Sequence, residues 1–262
     1  MTITIALAGK GGVGKTTLAA LVIKYLAEKR QGPILAIDAD PASNLNLALG
    51  LDLEWTVGDI REDLLGQVKQ SLTAGGAAMG SLPGGYSKRD FLDYQIRSSL
   101  AEGLAFDMIA MGRPEGSGCY CAVNHNLREV LDAISKNYRY VVIDNEAGME
   151  HLSRRTTRDV QHLLVVSDPT QRGLMVARRI AAFRHEMDIH IDHTYLIINR
   201  LAGALPQALQ DPIQSFDIPL LGTLPADQEL ADYEINDQPL IKLSSDSPLF
   251  RAVAAMLDQI LV

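Results

Sequence analysis

The chain has 262 residues, 47% of them hydrophobic, with two cysteines and a formal net charge of −8. That length and apolar content suffice for one large α/β domain, so a single domain over residues 1–262 is expected. The acidic balance argues against a broad basic surface for nucleic acid, and no apolar run is long enough to cross a membrane. The chain opens on a strand pattern instead of a basic signal segment, so a soluble, cytoplasmic protein is expected.

The first predicted strand is the apolar run Ile3 to Ala8. It leads into Gly9-Lys10-Gly11-Gly12-Val13-Gly14-Lys15-Thr16-Thr17 and then a helix over Leu18 to Leu26. This strand–loop–helix context fits the phosphate-cradling pattern G-x-x-x-x-G-K-[ST]. The glycines allow backbone N–H groups to turn inward around phosphates, and the helix N-terminus adds its positive end. Lys15 can reach the β- and γ-phosphates, and the Thr16 hydroxyl can ligate Mg²⁺. Lys10 sits five positions before Lys15 on the opposite limb, so one loop offers two cations.

Further along, strands are predicted at Ile34 to Asp38, Asp107 to Met111, Tyr138 to Asp144, Leu163 to Ser167, Tyr195 to Asn199 and Pro219 to Leu224. Helical patterns fall between them, at Leu127 to Ser135 and Gly173 to Met187 for instance. This alternation predicts a mostly parallel central sheet flanked by helices, the α/β architecture of a P-loop NTPase. Residues from about Trp55 to Ser99 are amphipathic, broken by the Gly/Pro-rich Ala74 to Tyr86, which reads as a surface loop. The last helix, from about Ser247, carries Leu249, Phe250, Val253, Met256, Leu257 and Ile260 at helical spacing with one cation, Arg251. Packing against the core fits that stripe better than a membrane surface, which would demand more Lys and Arg. His185, His190 and His193 read as surface residues at a helix end and the following turn. Met108 and Met111 read as core.

Carboxylates end two of the strands. Asp38-Ala39-Asp40-Pro41 closes the second, at the edge where parallel sheets hold their ligands. Asp144 ends Tyr140-Val141-Val142-Ile143, as expected of an acid that holds Mg²⁺ or its water. Gly148, a little further on, permits a loop to change shape.

Lys10-Gly11-Gly12-x-x-Lys15-Thr16 resembles the deviant P-loop of the dimeric ATPases that include MinD, ParA, the nitrogenase iron protein and the arsenite-pump ATPases. The resemblance implies a homodimer in which Lys10 reaches the partner subunit's nucleotide, and in which Asp40 orients the attacking water. It thereby assigns catalytic roles to Lys10, Lys15 and Asp40. Guanine-specific relatives use N-K-x-D. Here the corresponding strand ends Asn199-Arg200-Leu201-Ala202, with Ala202 in place of the acid. Asn199 can still pair with an adenine edge, and Leu224-Pro225-Ala226-Asp227 resembles the adenine-side loop of the group, so ATP is expected over GTP.

Both cysteines lie in Ser117-Gly118-Cys119-Tyr120-Cys121. Two thiolates one residue apart can chelate a thiophilic metal but leave a four-coordinate ion half satisfied. A two-fold axis through the pair would supply four sulfurs from two copies.

The deviant P-loop, the D-x-D-P element, the C-x-C and Asp144-Asn145-Glu146-Ala147-Gly148-Met149-Glu150-His151-Leu152 together resemble the CooC family, nickel-inserting accessory ATPases for carbon monoxide dehydrogenase, with a sister form serving acetyl-CoA synthase. The similarity runs from Ile3 to about Asp227. It implies a homodimer binding Ni²⁺ (or Zn²⁺) through Cys119 and Cys121 of both subunits, with ATP hydrolysis coupled to metal delivery. Neither nucleic acid nor membrane is expected as a partner. His125 and His151 are candidate auxiliary ligands, with solvation and backbone hydrogen bonding as their simpler uses. Two competing readings are a MinD- or ParA-type positioning ATPase and an iron–sulfur carrier. The acidic balance opposes the first. The placement of both cysteines in one C-x-C, instead of at distant positions, opposes the second.

Overall fold

A computed structural model describes residues 2–42, 44–73, 87–112, 121–146, 159–186 and 189–261, with the backbone alone at 68–73, 88, 121–126 and 128. Eight strands form one sheet in the order β3-β4-β2-β5-β1-β6-β7-β8. They are β1 (Ile3–Gly9), β2 (Ile34–Asp38), β3 (Ala101–Glu102), β4 (Asp107–Ala110), β5 (Tyr140–Asp144), β6 (Asp159–Ser167), β7 (His190–Leu201) and β8 (Leu220–Pro225). Every pairing is parallel except β3 with β4. The helices are α1 (Lys15–Lys29), α2 (Leu45–Leu49), α3 (Val57–Thr73), α4 (Lys88–Ser98), α5 (Cys121–Ser135), α6 (Gln171–Phe183), α7 (Gln207–Gln214), α8 (Gln228–Ile235) and α9 (Pro248–Ile260). The mostly parallel, helix-flanked sheet expected from the alternation is therefore present.

Parallel strands covered on both faces must be apolar at nearly every position, and these are. All five residues of β5 are buried, with Val141 and Ile143 facing one core and Tyr140 and Val142 the other. The first core lies under α3, α4, α5, α6 and α7, and the second under α1, α2 and α9. Helix α1 is buried along its length from Leu18 to Leu26, including Lys24. That ammonium pairs with Glu28, donates to the Ile241 carbonyl at 3.2 Å and lies 5.0 Å from the centroid of the Phe250 ring. Helix α9 buries Leu249, Phe250, Val253, Met256 and Leu257, so its apolar stripe is spent on the core. Among the described residues no helix is long and apolar enough to cross a membrane.

Two strands start earlier than their apolar runs suggest. β6 begins at Asp159 and β7 at His190, because each has a polar amino-terminal half that still pairs: His162 stands opposite His193 in register. His190 and His193 are exposed as expected, yet they belong to a strand and not to a turn. The His193 ring stacks 5.7 Å from that of His162. Helix α6 ends at Phe183 and passes into a 3₁₀ turn at Arg184–Glu186, ahead of the predicted Met187. Met108 and Met111 are buried. The predicted loop Ala74 to Tyr86, and Gly148 and His151, lie outside the described residues, as does the His125 side chain.

Candidate nucleotide site

The chain places β2 to β5 on one side of β1 and β6 to β8 on the other. The loops leaving β1 and its neighbours therefore part at the carboxyl end of β1, the crevice where open parallel sheets hold ligands. Gly9 to Thr17 occupies that point. Gly14 is left-handed (φ 91°) at the N-cap of α1, and a Cβ there would stand 2.5 Å from Asn199 Nδ2. A Cβ on Gly9 would stand 2.4 Å from the Val166 carbonyl oxygen on β6. Backbone conformation demands glycine at the first position, and close packing of strand and loop demands it at the second.

The loop is clasped from β7. Asn199, buried, donates Nδ2 to the Val13 carbonyl at 2.8 Å and accepts at Oδ1 from the Arg200 N–H at 2.9 Å. Arg200, itself at φ 57°, donates through its guanidinium to the Gly12 carbonyl at 3.1 Å. The sequence points to Asn199 as a base contact. In the structure its Nδ2 holds the loop while its Oδ1 accepts from the next N–H along β7, and the residue also lines the adjoining cleft. Arg200 escapes sequence reasoning because nothing local shows that it reaches the loop.

Lys15 is buried, with Nζ 3.4 Å from the Lys10 carbonyl. The Lys10 side chain is exposed and makes no ion pair with any described residue. The Thr16 hydroxyl lies beside the Asp144 carboxyl and favours its charged form. Asp144 is 1% exposed, and its Oδ1 has no hydrogen-bond partner among the described residues. An orphaned, buried carboxylate oxygen beside a threonine hydroxyl offers the oxygen ligands a small hard cation takes, with phosphate and water to complete its shell, so the residues fit Mg²⁺. Asn145 follows, donating Nδ2 to the Leu7 carbonyl at 2.8 Å, which ties the end of β5 to β1.

Asp38 stands opposite Asp144 in the β2–β5 register and is fully buried. Its oxygens accept from the N–H groups of Asp40 and Leu45, both at 3.0 Å, which fixes the start of the D-x-D-P turn. Asp40 accepts from the Ala42 N–H at 2.8 Å, closing a second such turn. Burial pushes the Asp38 carboxyl up to about 6, against the two backbone donors. Burial likewise pushes Asp144 up to about 7; the Thr16 hydroxyl and Lys15 oppose the shift, and the Asp38 and Asp40 charges add to it.

The sign of the resulting pH dependence follows. Both groups bind protons more tightly in the folded state than near 3.8, so the unliganded protein loses stability as pH rises from about 4 through about 6 and 7. We expect a fall on the order of 2 kcal/mol between pH 5 and 7.5, about 5 °C in melting temperature, read by calorimetry. Mg²⁺ with nucleotide should abolish the slope.

Beside the loop lies a cleft of about 240 Å³, whose walls include Thr17, Asn199, Arg200, Pro225, Asp227 and Leu249. Pro225 ends β8 and forms an apolar wall. Asp227 caps α8, accepting at Oδ1 from the Glu229 and Leu230 N–H groups, and at Oδ2 from the Ser247 hydroxyl (2.7 Å) and the Leu249 N–H (3.1 Å). Burial raises its pKa, but these four donors outweigh burial and hold it below the ordinary carboxylate value.

Cys119 lies outside the described residues, and Cys121 is described as the first backbone position of α5. That helix joins the end of β4 to the start of β5, two strands that run parallel through β2, so it begins at the same carboxyl edge as the phosphate loop. Among the described residues no three His, Cys, Asp or Glu side chains converge as a metal group.

Residues 4–240 match the family model described as the CobQ/CobB/MinD/ParA nucleotide binding domain. The chain is 40% identical to an uncharacterized ATP-binding protein of Methanocaldococcus jannaschii, with 98% of each chain covered. It is 30% identical to the carbon monoxide dehydrogenase accessory protein CooC of Rhodospirillum rubrum, covering 98% of this chain and 97% of that one. In fold it is similar to the septum site-determining protein MinD of Pyrococcus horikoshii complexed with Mg-ADP, at a TM-score of 0.68 and 20% identity over 99% of this chain and 96% of that one.

Proposed function

The chain belongs to the CobQ/CobB/MinD/ParA nucleotide-binding family and is a P-loop ATPase, and from that premise we propose that it is a homodimeric nickel-delivery ATPase serving carbon monoxide dehydrogenase or acetyl-CoA synthase. The observation that carries the proposal is positional. Both cysteines of the chain fall in one C-x-C, and that element leads into α5 at the edge of the sheet that holds the phosphate loop. Similarity to the accessory protein over nearly the whole chain supports the same reading.

In this mechanism the backbone of Gly9, Gly11, Gly12, Val13 and Gly14 cradles the phosphates of ATP, with Thr17 completing the turn into α1. Lys15 pairs with the β- and γ-oxygens. Thr16 and Asp144 would hold Mg²⁺, which would supply positive charge against the phosphate oxygens. Asp40 accepts a hydrogen bond from the attacking water. Lys10 of each subunit enters the other's site, where charge develops on the transferred phosphoryl group. Adenine lies in the cleft walled by Asn199, Pro225 and Asp227. Closure of the two subunits brings the Cys119/Cys121 pairs together, so nucleotide state and metal affinity are linked reciprocally. The metal ion is cargo: Ni²⁺ for the client, with Zn²⁺ able to occupy the same four sulfurs.

The test is anaerobic titration with Ni²⁺ in the presence and absence of a non-hydrolysable ATP analogue. One ion per two chains is expected, bound more tightly with the analogue. Cys119→Ser and Cys121→Ser should each abolish that stoichiometry. Wild-type stoichiometry in both variants would remove the metal site from the proposal.

A further inference from the structure

A regular strand sends successive side chains to opposite faces, yet Asn199 and Arg200 hold two adjacent carbonyls of the phosphate loop, those of Val13 and Gly12. The register of β7 against β8 shows how. Ile198 stands opposite Thr223 and Leu201 opposite Pro225, so β7 advances by one residue more than β8 over this stretch. The extra residue makes a β-bulge, and Arg200 sits in it with a left-handed backbone, φ 57°. Bulges of this kind re-aim a side chain. A left-handed backbone is unfavourable for arginine, and it persists where surrounding contacts impose it. Here Asn199 Oδ1 accepts from the Arg200 N–H at 2.9 Å.

The re-aimed guanidinium stands between two parts of the site. It donates to the Gly12 carbonyl at 3.1 Å, and it lines the cleft of about 240 Å³ whose apolar wall is Pro225. Among the described residues that hydrogen bond is the side chain's one tether, and it makes no ion pair. The limb it holds is lightly fixed. Lys10, Gly11 and Gly12 are exposed, and the Lys10 carbonyl accepts only at long range, from the Val13 N–H at 3.5 Å and Lys15 Nζ at 3.4 Å. Among the described residues no aromatic side chain lines the cleft, so the guanidinium is the broadest flat surface it offers a base. Guanidinium planes stack on aromatic faces.

We propose that Arg200 is a positioning residue that makes the Lys10 limb of the phosphate loop answer to the base. A ring stacked on the guanidinium stops its rotation, and the bond to Gly12 passes that order to the limb. With the cleft empty, an exposed arginine gives up rotamer freedom whenever it holds Gly12, so the limb is less fixed. The inference rests on the adenine placement proposed above and adds that the base serves turnover as well as affinity. Binding energy from the non-reacting end of the nucleotide sets the limb from which Lys10 acts.

The test is amide exchange over Lys10 to Val13 in the full chain, with saturating Mg-ADP or Mg-pyrophosphate, beside steady-state turnover of ATP. In the wild type ADP should slow exchange about fivefold beyond pyrophosphate. Arg200→Gly suits the left-handed backbone, and Arg200→Lys keeps a donor for Gly12 but not the plane. In each variant the two ligands should protect the limb within about twofold of each other, and kcat for ATP should fall about tenfold. A residue that merely braced the loop would be rescued by lysine, and its loss would speed exchange equally with both ligands. A wild-type gap between the ligands in either variant would overturn the coupling and leave the adenine placement standing. So would a wild type in which ADP binds more tightly than pyrophosphate yet protects the limb no better. A wild type that binds both ligands equally well would overturn the adenine placement and the coupling with it.

Discussion

Lys10→Ala is expected to lower kcat for ATP hydrolysis by about 10² to 10³-fold while changing nucleotide affinity by no more than about threefold. The asymmetry follows from where the lysine stands. Its ammonium is exposed and makes no ion pair among the described residues, while its backbone carbonyl is part of the loop. Truncation therefore leaves the cradle that binds phosphate and removes only a cation the proposal places in the partner's site. Steady-state turnover and binding of a fluorescent ATP analogue separate the two quantities. Mixing Lys10→Ala with Asp144→Asn chains gives the decisive comparison. The mixed dimer contains one complete site, with intact acid and loop from the first chain and Lys10 from the second. Recovery of turnover on mixing is expected; two inactive proteins that remain inactive together would refute action in trans.

Asp144→Asn should produce opposite effects on activity and on stability. The amide keeps the shape and can still accept from Thr16, but it cannot match a carboxylate as a partner for Mg²⁺. We expect Mg²⁺-dependent turnover to fall by about 10² to 10³-fold. The unliganded protein should become more stable at pH 7.5, because a buried carboxyl pushed up to about 7 no longer has to ionise there. The expected gain is on the order of 1 kcal/mol, a few degrees in melting temperature, and it should shrink as pH falls and vanish below about pH 4, where the unfolded carboxyl is protonated as well. A variant both inactive and less stable at every pH would show that Asp144 is mainly a packing element of β5.

Much of this site is legible in the sequence because its signals are local. The nine residues Gly9 to Thr17, between a strand pattern and a helix pattern, mark the phosphate loop; Asp38 and Asp144 each end an apolar run, and Asp40 stands out through the resemblance of its D-x-D-P element. What stays hidden is contact across the sheet. Asn199 reads as a base contact, yet its amide reaches back 186 positions to the Val13 carbonyl. Arg200 follows it onto the Gly12 carbonyl through a left-handed backbone that no propensity marks for an arginine. Asp38 looks like a companion of Asp40 in one motif, whereas the register sets it against Asp144, so the two share an electrostatic problem. The early starts of β6 and β7 are missed for a related reason: Gln161 and His193 are polar, and pairing with a neighbouring strand, not burial, keeps them extended.

The carboxylate of Asp227 has one oxygen on the first turn of α8 and the other on the first turn of α9, while Leu249 of α9 forms part of the cleft wall. The last helix is thus a structural member of the cleft that the proposed function gives to adenine, even though it lies past residue 240, where the family match ends. A shortened version of the protein that keeps every recognised motif would still lose one side of the space where a nucleoside is to sit. On the proposed placement of adenine, trimming the tail is a change to the nucleotide site.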